Sequence, residues 1–292
     1  MSVFKTYDPK ELAVPELHGH LLGAVAPRPI AFASTLDAEG RPNLSPFSFF
    51  NVFSANPPIM IFSPARRVRD NTTKHTLENC LNTKEVVINI VNHAIVEQMS
   101  LSSTEYAEGV NEFVKSGLTM LESDKVKPFR VAESPAQFEC KVNDVISLGE
   151  QGGAGNLIIC EVVQLHLNQE ILNDNGKIDP FKLDAVSRMG ANYYCRAQGD
   201  SIFEVQKPLA KKGIGVDQLP EEIKKSVVFN GNQLGKLANV EQLPCSESFD
   251  SLKIDGADLR AIKQGEDRHA IAAKYLDRNE VEVAWKILVL ND

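Results

Sequence analysis

Pro29 to Leu36 and Asn43 to Phe53 are strand-like runs, in which apolar and aromatic residues are mixed with small polar ones. Between them Asp37-Ala38-Glu39-Gly40 is a turn, with Gly40 free to take positive φ, so the two runs form a hairpin. Pro46 interrupts the second run within Ser45-Pro46-Phe47-Ser48. Proline cannot donate to a ladder, which places it at an edge or bulge where backbone groups are free to meet a ligand. Ile59 to Phe62 and Glu85 to Val91 are short apolar runs of the buried-strand type, and the second leads into the helix-like AIVEQMSLSS. Thr104 to Gly117 is polar and is expected to wrap outside. Longer strands are predicted at Ala136 to Ser147 and Asn156 to Leu167, joined by a turn containing Gly152, Gly153 and Gly155. A dinucleotide loop needs a helix after its glycines, whereas Leu157-Ile158-Ile159-Cys160 is strand-like, so this turn closes a hairpin. No βα pattern repeats. The order predicts a mainly β fold, an antiparallel barrel with peripheral helices.

From Lys207 onwards helical signals replace strand signals, dividing the chain into a β domain, residues 1–206, and a mainly helical C-terminal extension, residues 207–292. Pro220 with Glu221 and Glu222 reads as a helix start, as does Asn232, and Asp267 to Leu276 sets Ile271 and Tyr275 one turn apart. NEVEVAWKILVL, which holds the sole tryptophan, Trp285, reads as helix or strand. Structural packing is the expected role of the extension, with a lid or dimer arm as the functional alternative.

The candidate chemistry lies between the early strands. After Ile59 to Phe62 come Ser63, then Arg66, Arg67 and Arg69, then Asp70, Asn71, Thr72 and Thr73 opening a predicted helix that carries Leu77, Cys80 and Leu81 on one side. A helix start exposes unpaired N–H groups and a positive dipole end, so guanidinium forks and hydroxyls beside it would hold a phosphate. The same residues also fit a purely structural role, with Asp70 or Thr72 as N-cap and the arginines solvated. The Ser-Pro-Phe-Ser interruption just before them favours the phosphate.

Four stretches, RPIAFASTLDAEGRPNLSPFSFFNVFSANPP, SPARRVRDNT, EVVINIVN and DPFKLDAVSRMGANYYCR, in this order, resemble the flavin reductase-like, FMN-binding split-barrel family over roughly residues 20–200. The resemblance implies an antiparallel, Greek-key split β-barrel that binds FMN at a homodimer interface. By position, Ser45, Pro46, Phe47 and Ser48 would face the isoalloxazine and ribityl chain, and Ser63, Arg67, Asp70 and Thr72 would surround the phosphate. Arg188, Gly190 and Tyr193 match a family segment near the flavin, which makes Arg188 and Tyr193 the candidates for turnover. The implied activity is an NAD(P)H-dependent flavin oxidoreductase, with hydride passing from nicotinamide to flavin. GEQGGAGN stands where many reductases of this family carry an acidic-and-histidine turn. That departure keeps open a second class, an FMN-binding electron-transfer protein of the flavoredoxin type without a nicotinamide site.

Composition narrows the classes further. A formal net charge of −8 opposes general affinity for nucleic acid or anionic membranes. MSVFKTYDPKELAVP has no apolar core of a signal peptide and no apolar run is long enough to span a bilayer, so a cytoplasmic protein is expected. Cys80, Cys140, Cys160, Cys195 and Cys245 show no paired spacing for zinc or a redox dithiol, and most are expected to be buried thiols. His18 and His20 lack a third ligand nearby, so no metal site is expected. His166 fits a hydrogen-bonded core histidine.

Overall fold

The computed structural model describes residues 3–209, 212–245 and 253–290. The chain forms two compact units, Met1–Phe203 and Glu204–Asp292.

The first unit begins with α1 (Val14–Ala24) and continues through β1 (Ala31–Leu36), β2 (Pro42–Phe47), β3 (Phe50–Ala55) and β4 (Pro58–Phe62). After α2 (His75–Thr83) and β5 (Glu85–Asn89) come α3 (Val96–Leu101) and α4 (Glu112–Ser116), then the short strands β6 (Met120–Leu121) and β7 (Arg130–Val131). The long hairpin β8 (Ala136–Ser147) and β9 (Asn156–Leu167) is followed by α5 (Pro180–Leu183) and the small pair β10 (Val186–Arg188) and β11 (Tyr194–Arg196). Seven strands make one antiparallel sheet in the order β2-β1-β5-β8-β9-β4-β3.

That order corrects the reading of Asn43 to Phe53 as one strand. β2 and β3 occupy opposite edges of the sheet, yet only Ser48 and Phe49 separate them. A link of that length reaches about 11 Å at most, so the sheet must curl until its edges meet. A split barrel results. The corner also resets the side-chain alternation: Phe47 and Phe50 pack inward, whereas an unbroken strand would have turned Phe49 and Phe53 the same way as Phe47.

Inside the barrel, Ala31, Ala33, Phe47, Met60, Phe62, Val86, Ile88, Cys140, Val142, Ile158 and Cys160 form one core, plugged by Leu77 and Cys80 of α2. Burial pushes the Cys80 thiol up to about 12 and raises those of Cys140 and Cys160, so these thiols are inert packing groups. The opposite face of β1 and β2 sends Ile30, Phe32 and Leu44 against Met99 of α3 and Phe113 of α4. Thr104 to Gly117 therefore does more than wrap outside: Glu112, Phe113 and Ser116 are buried. Asp70 and Thr72 do not cap α2, which starts later, at His75, with Lys74 as N-cap and no side-chain cap.

Within the second unit, α6 (Glu221–Lys224), α7 (Gly231–Ala238), α8 (Gly256–Lys263), α9 (Arg268–Asp277) and α10 (Val281–Val289) enclose a core of their own around Leu237, Ile271, Tyr275, Leu276, Trp285 and Ile287. Trp285 lies in a helix and donates to the carbonyl of Leu237 at 3.2 Å. Asn230 caps α7 in place of Asn232, because Asn230 and Gln233 exchange side-chain and backbone hydrogen bonds, each of 2.9 Å. Among the described residues no helix is long and apolar enough to cross a membrane.

Candidate functional site

Two clefts run end to end along edge strand β2 and share Ser103 as a lining residue. The first is lined by Ser45, Arg67, Lys74, His75, Thr76 and Glu105, among others. The second holds Pro46, Phe47, Ser48, Met99, Arg188 and Tyr194. Edge position leaves one side of the β2 backbone unpaired in the sheet, as Pro46 requires.

A buried polar cluster aims α2 at the first cleft. Asn43 donates to Thr35 Oγ1 at 3.1 Å and to Thr76 Oγ1 at 2.9 Å, and Asn79 donates to Thr35 Oγ1 at 3.0 Å, fastening the first turns of the helix to β1 and β2. No side chain caps this start, and while the Leu77 N–H bonds to the Lys74 carbonyl at 2.9 Å, His75 and Thr76 bring the first N–H groups and the positive end of the helix dipole to the cleft. Lys74 is half-buried, and its ammonium makes no hydrogen bond or close salt bridge among the described residues, with Glu105 as a more distant opposite charge. Burial, then the neighbouring Arg67 charge, holds its pKa below the ordinary lysine value. Sequence reasoning missed Lys74, since a single lysine in a polar stretch has no signature spacing. Its signal is its place at the helix start.

Of the three arginines, only Arg67 reaches into this cleft. Its Nη1 donates to Thr72 Oγ1 at 2.9 Å and to the Thr73 carbonyl, and its Nε donates to Glu105 at 3.0 Å. Arg66 is spent on the Asn71 side chain and carbonyl at 2.7 and 2.6 Å, and Arg69 is exposed beside Asp70 and Glu105. Asp70 organises the loop by accepting from the Thr72 amide at 3.0 Å and hydroxyl at 2.6 Å; those bonds bring its pKa down to about 2. Ser63 lies beneath the loop, buried against the β8–β9 turn. Arg67 and Ser45 are thus brought together at the cleft, while Ser63, Asp70 and Thr72 shape the loop that carries Arg67.

The glycine-rich turn has a structural task here. Arg66 N–H donates to the Ala154 carbonyl at 2.8 Å, Gly153 N–H to the Arg66 carbonyl at 3.0 Å, Asn71 to the Glu150 carbonyl at 3.0 Å and Asn156 to the Pro64 carbonyl at 3.0 Å. A Cβ at Gly152 would stand 3.0 Å from both the Arg67 carbonyl oxygen and Val68 Cα, and one at Gly155 would stand 2.7 Å from Ser63 Oγ. Gly152→Ala should therefore displace the arginine loop and weaken binding of a phosphate-bearing ligand at this cleft by about tenfold, on the order of 1.4 kcal/mol. A fluorescence titration that gives the unaltered dissociation constant would contradict this.

In the second cleft, Arg188 lies over the Tyr194 ring, 4.6 Å from its centroid, and donates to the Tyr193 carbonyl at 3.3 Å. Tyr193 does not line the cleft; it is 74% exposed, and its neighbour Tyr194 takes that place. The Met189 amide bonds back to the Tyr193 carbonyl at 2.9 Å, a tight return that turns the Tyr193 ring outward. Arg28, unassigned by sequence reasoning, is 6% exposed and braces this cleft. Its guanidinium donates to the carbonyls of Leu22 and Val25 at 2.6 Å and of Met189 at 2.9 Å, tying the end of α1 to the segment after β10. Its signal in the sequence is a charge flanked by Pro27 and Pro29 at the entry to an apolar strand.

Elsewhere, His166 Nε2–H donates a 2.7 Å hydrogen bond to the buried Glu139 carboxylate, which also accepts from the N–H groups of Asp124, Lys125 and Val126. Asp124, Glu139 and His166 stand close enough to share an ion, but Glu139 is saturated by backbone donors and serves as a loop anchor.

Residues 23–182 match the flavin reductase like domain. The chain belongs to the flavin reductase-like family. A protein of Aquifex aeolicus is 36% identical over 196 residues, 67% of this chain and 97% of its own. Among solved structures, nitrilotriacetate monooxygenase component B of Bacillus cereus superposes with a TM-score of 0.65 at 28% identity, covering 70% of this chain and all of that one. A protein described as a flavin reductase with split barrel domain, from Shewanella frigidimarina, gives a TM-score of 0.57 at 26% identity over 68% of this chain and 95% of its own. The fold is accordingly the split barrel of this family, and membership makes the chain a flavin-related oxidoreductase.

Proposed function

We propose that this protein binds FMN along β2 and, as a homodimer, passes electrons from NAD(P)H to the flavin or to an acceptor beside it. The observation that carries the reading is the pairing of the clefts: a cationic one at an uncapped helix start, continuous with one walled by Pro46, Phe47 and Ser48. The residues present fit a flat group with a phosphate at one end. Arg67, Lys74 and the first N–H groups of α2 would hold the phosphate, and Ser45 to Ser48 would run beside the ribityl chain and ring. FMN would supply the electron-accepting chemistry.

The protein's part is orientation and polarity. Arg188, fixed over Tyr194 and without a carboxylate partner among the described residues, presents donors and positive charge where a reduced ring or an anionic substrate gains from them. Tyr193, with its ring turned outward, is proposed for turnover only through its carbonyl, which positions Arg188. A specific observation also favours the electron-carrier reading: the β8–β9 turn, where many reductases present acidic and histidine side chains, is here consumed in holding the arginine loop.

Assembly follows from the exposed apolar edge. Phe53 on edge strand β3 is 63% exposed, with Val52 beside it and Leu165 on β9 also open to solvent. Light scattering on FMN-loaded protein should give twice the chain mass. A monomer that retains stoichiometric FMN would reject the dimer-completed site.

A further inference from the structure

Glu105 is the acid of the cationic cleft that stands in direct contact with its arginine. Its carboxylate accepts from Arg67 Nε and from Arg69 Nη2, both at 3.0 Å, and it lines the cleft together with Lys74. Those guanidinium hydrogen bonds, Arg69 first and Arg67 second, keep the Glu105 carboxyl below the usual range, so it is charged at neutral pH. The other acid of the cleft, Glu112, is buried and committed to the Leu44 amide at 3.0 Å. Glu105 differs, because its side chain is 43% exposed while that of Arg67 is 18% exposed. The arginine is held by Thr72 and Thr73, and the glutamate lies on its solvent side.

Resting on the reading of this cleft as a phosphate site, we infer that Glu105 is an internal anion that competes with the cofactor phosphate for Arg67, and so sets FMN affinity low enough for the flavin to exchange. A phosphate approaching Arg67 meets a carboxylate already bonded to its Nε, and either shares the guanidinium at the cost of repulsion or displaces Glu105 toward solvent. Riboflavin, having no phosphate, meets no such competition. Glu105 therefore narrows the preference for FMN over riboflavin that Arg67 and Lys74 create.

The test is a fluorescence titration of the full chain with FMN and with riboflavin, for the unaltered protein, Glu105→Gln and Glu108→Gln. Glutamine keeps the side-chain size and removes the charge. Glu108 stands in the same loop but pairs with Arg41 at 3.1 Å, so its variant changes net charge equally without touching Arg67. The expected result is FMN binding tighter by about tenfold in Glu105→Gln, with riboflavin and Glu108→Gln unchanged. Unchanged or weaker FMN binding in Glu105→Gln would overturn the inference and make Glu105 a positioning residue for Arg67. An equal gain in Glu108→Gln would overturn it in favour of a net-charge effect. If the unaltered protein binds riboflavin as well as FMN, the phosphate site fails, and this inference with it.

Discussion

FMN should bind more than tenfold more tightly than riboflavin, and Arg67→Ala should reduce that preference without abolishing it. Charge-assisted hydrogen bonds to an anion contribute about 1.5–3 kcal/mol each, and every 1.4 kcal/mol is about a factor of ten in affinity. Arg67 and Lys74 face the cleft together, so loss of either leaves the other and the helix start to hold the phosphate. Lys74→Met should act in the same direction as Arg67→Ala. Arg66→Ala should act only indirectly, because that guanidinium closes the loop on Asn71, and Arg69→Ala should matter little at an exposed side chain. Equal dissociation constants for FMN and riboflavin would refute the assignment, and a larger effect from Arg69 than from Arg67 would reassign the ligand.

Arg28→Ala should be the most destabilising single change outside the apolar cores, costing on the order of 3 kcal/mol. The substitution strips three carbonyls of a charged donor in a nearly buried place and unties α1 from the segment after β10. Burial, then the nearby Arg188 charge, pushes the Arg28 pKa down, so the charge is kept at some cost and the carbonyls offset it. Unfolding followed by far-ultraviolet circular dichroism should show a midpoint lower by about 6–12 °C. Arg28→Lys, with fewer donors in a fixed fork, should fall between. An unaltered midpoint for Arg28→Ala would mean that water replaces the guanidinium without penalty.

Much of the fold was legible because it depends on local patterns. β8 and β9 run over the residues expected, since two long apolar-rich runs on either side of a glycine turn leave little choice of ends. The second half of the hairpin was not, because Ser48 and Phe49 carry no turn signature; the corner is dictated by closure of the barrel, a nonlocal demand. The start of α2 was misplaced for a different reason. Asp70 and Thr72 are good capping residues, but Asp70 Oδ1 binds Thr72 itself and Arg67 consumes the Thr72 and Thr73 acceptors, so the helix waits until His75. That displacement leaves the helix start uncapped, and Lys74 comes to stand at the cleft in its place. Arg67 and Ser45 to Ser48 were recognisable from segment order. Tyr194 and Arg28 were not, because which of two adjacent tyrosines lines the cleft, and which carbonyls a buried arginine finds, depend on chain reversals that periodicity does not record.

Anaerobic addition of NADH or NADPH to FMN-loaded protein tests the oxidoreductase reading most directly. The visible flavin band should bleach with at least one of the two nucleotides, and in stopped flow Arg188→Ala should slow the bleaching while FMN occupancy stays intact. Full occupancy with no bleaching by either nucleotide would contradict an NAD(P)H-dependent oxidoreductase and leave the electron-carrier reading in its place.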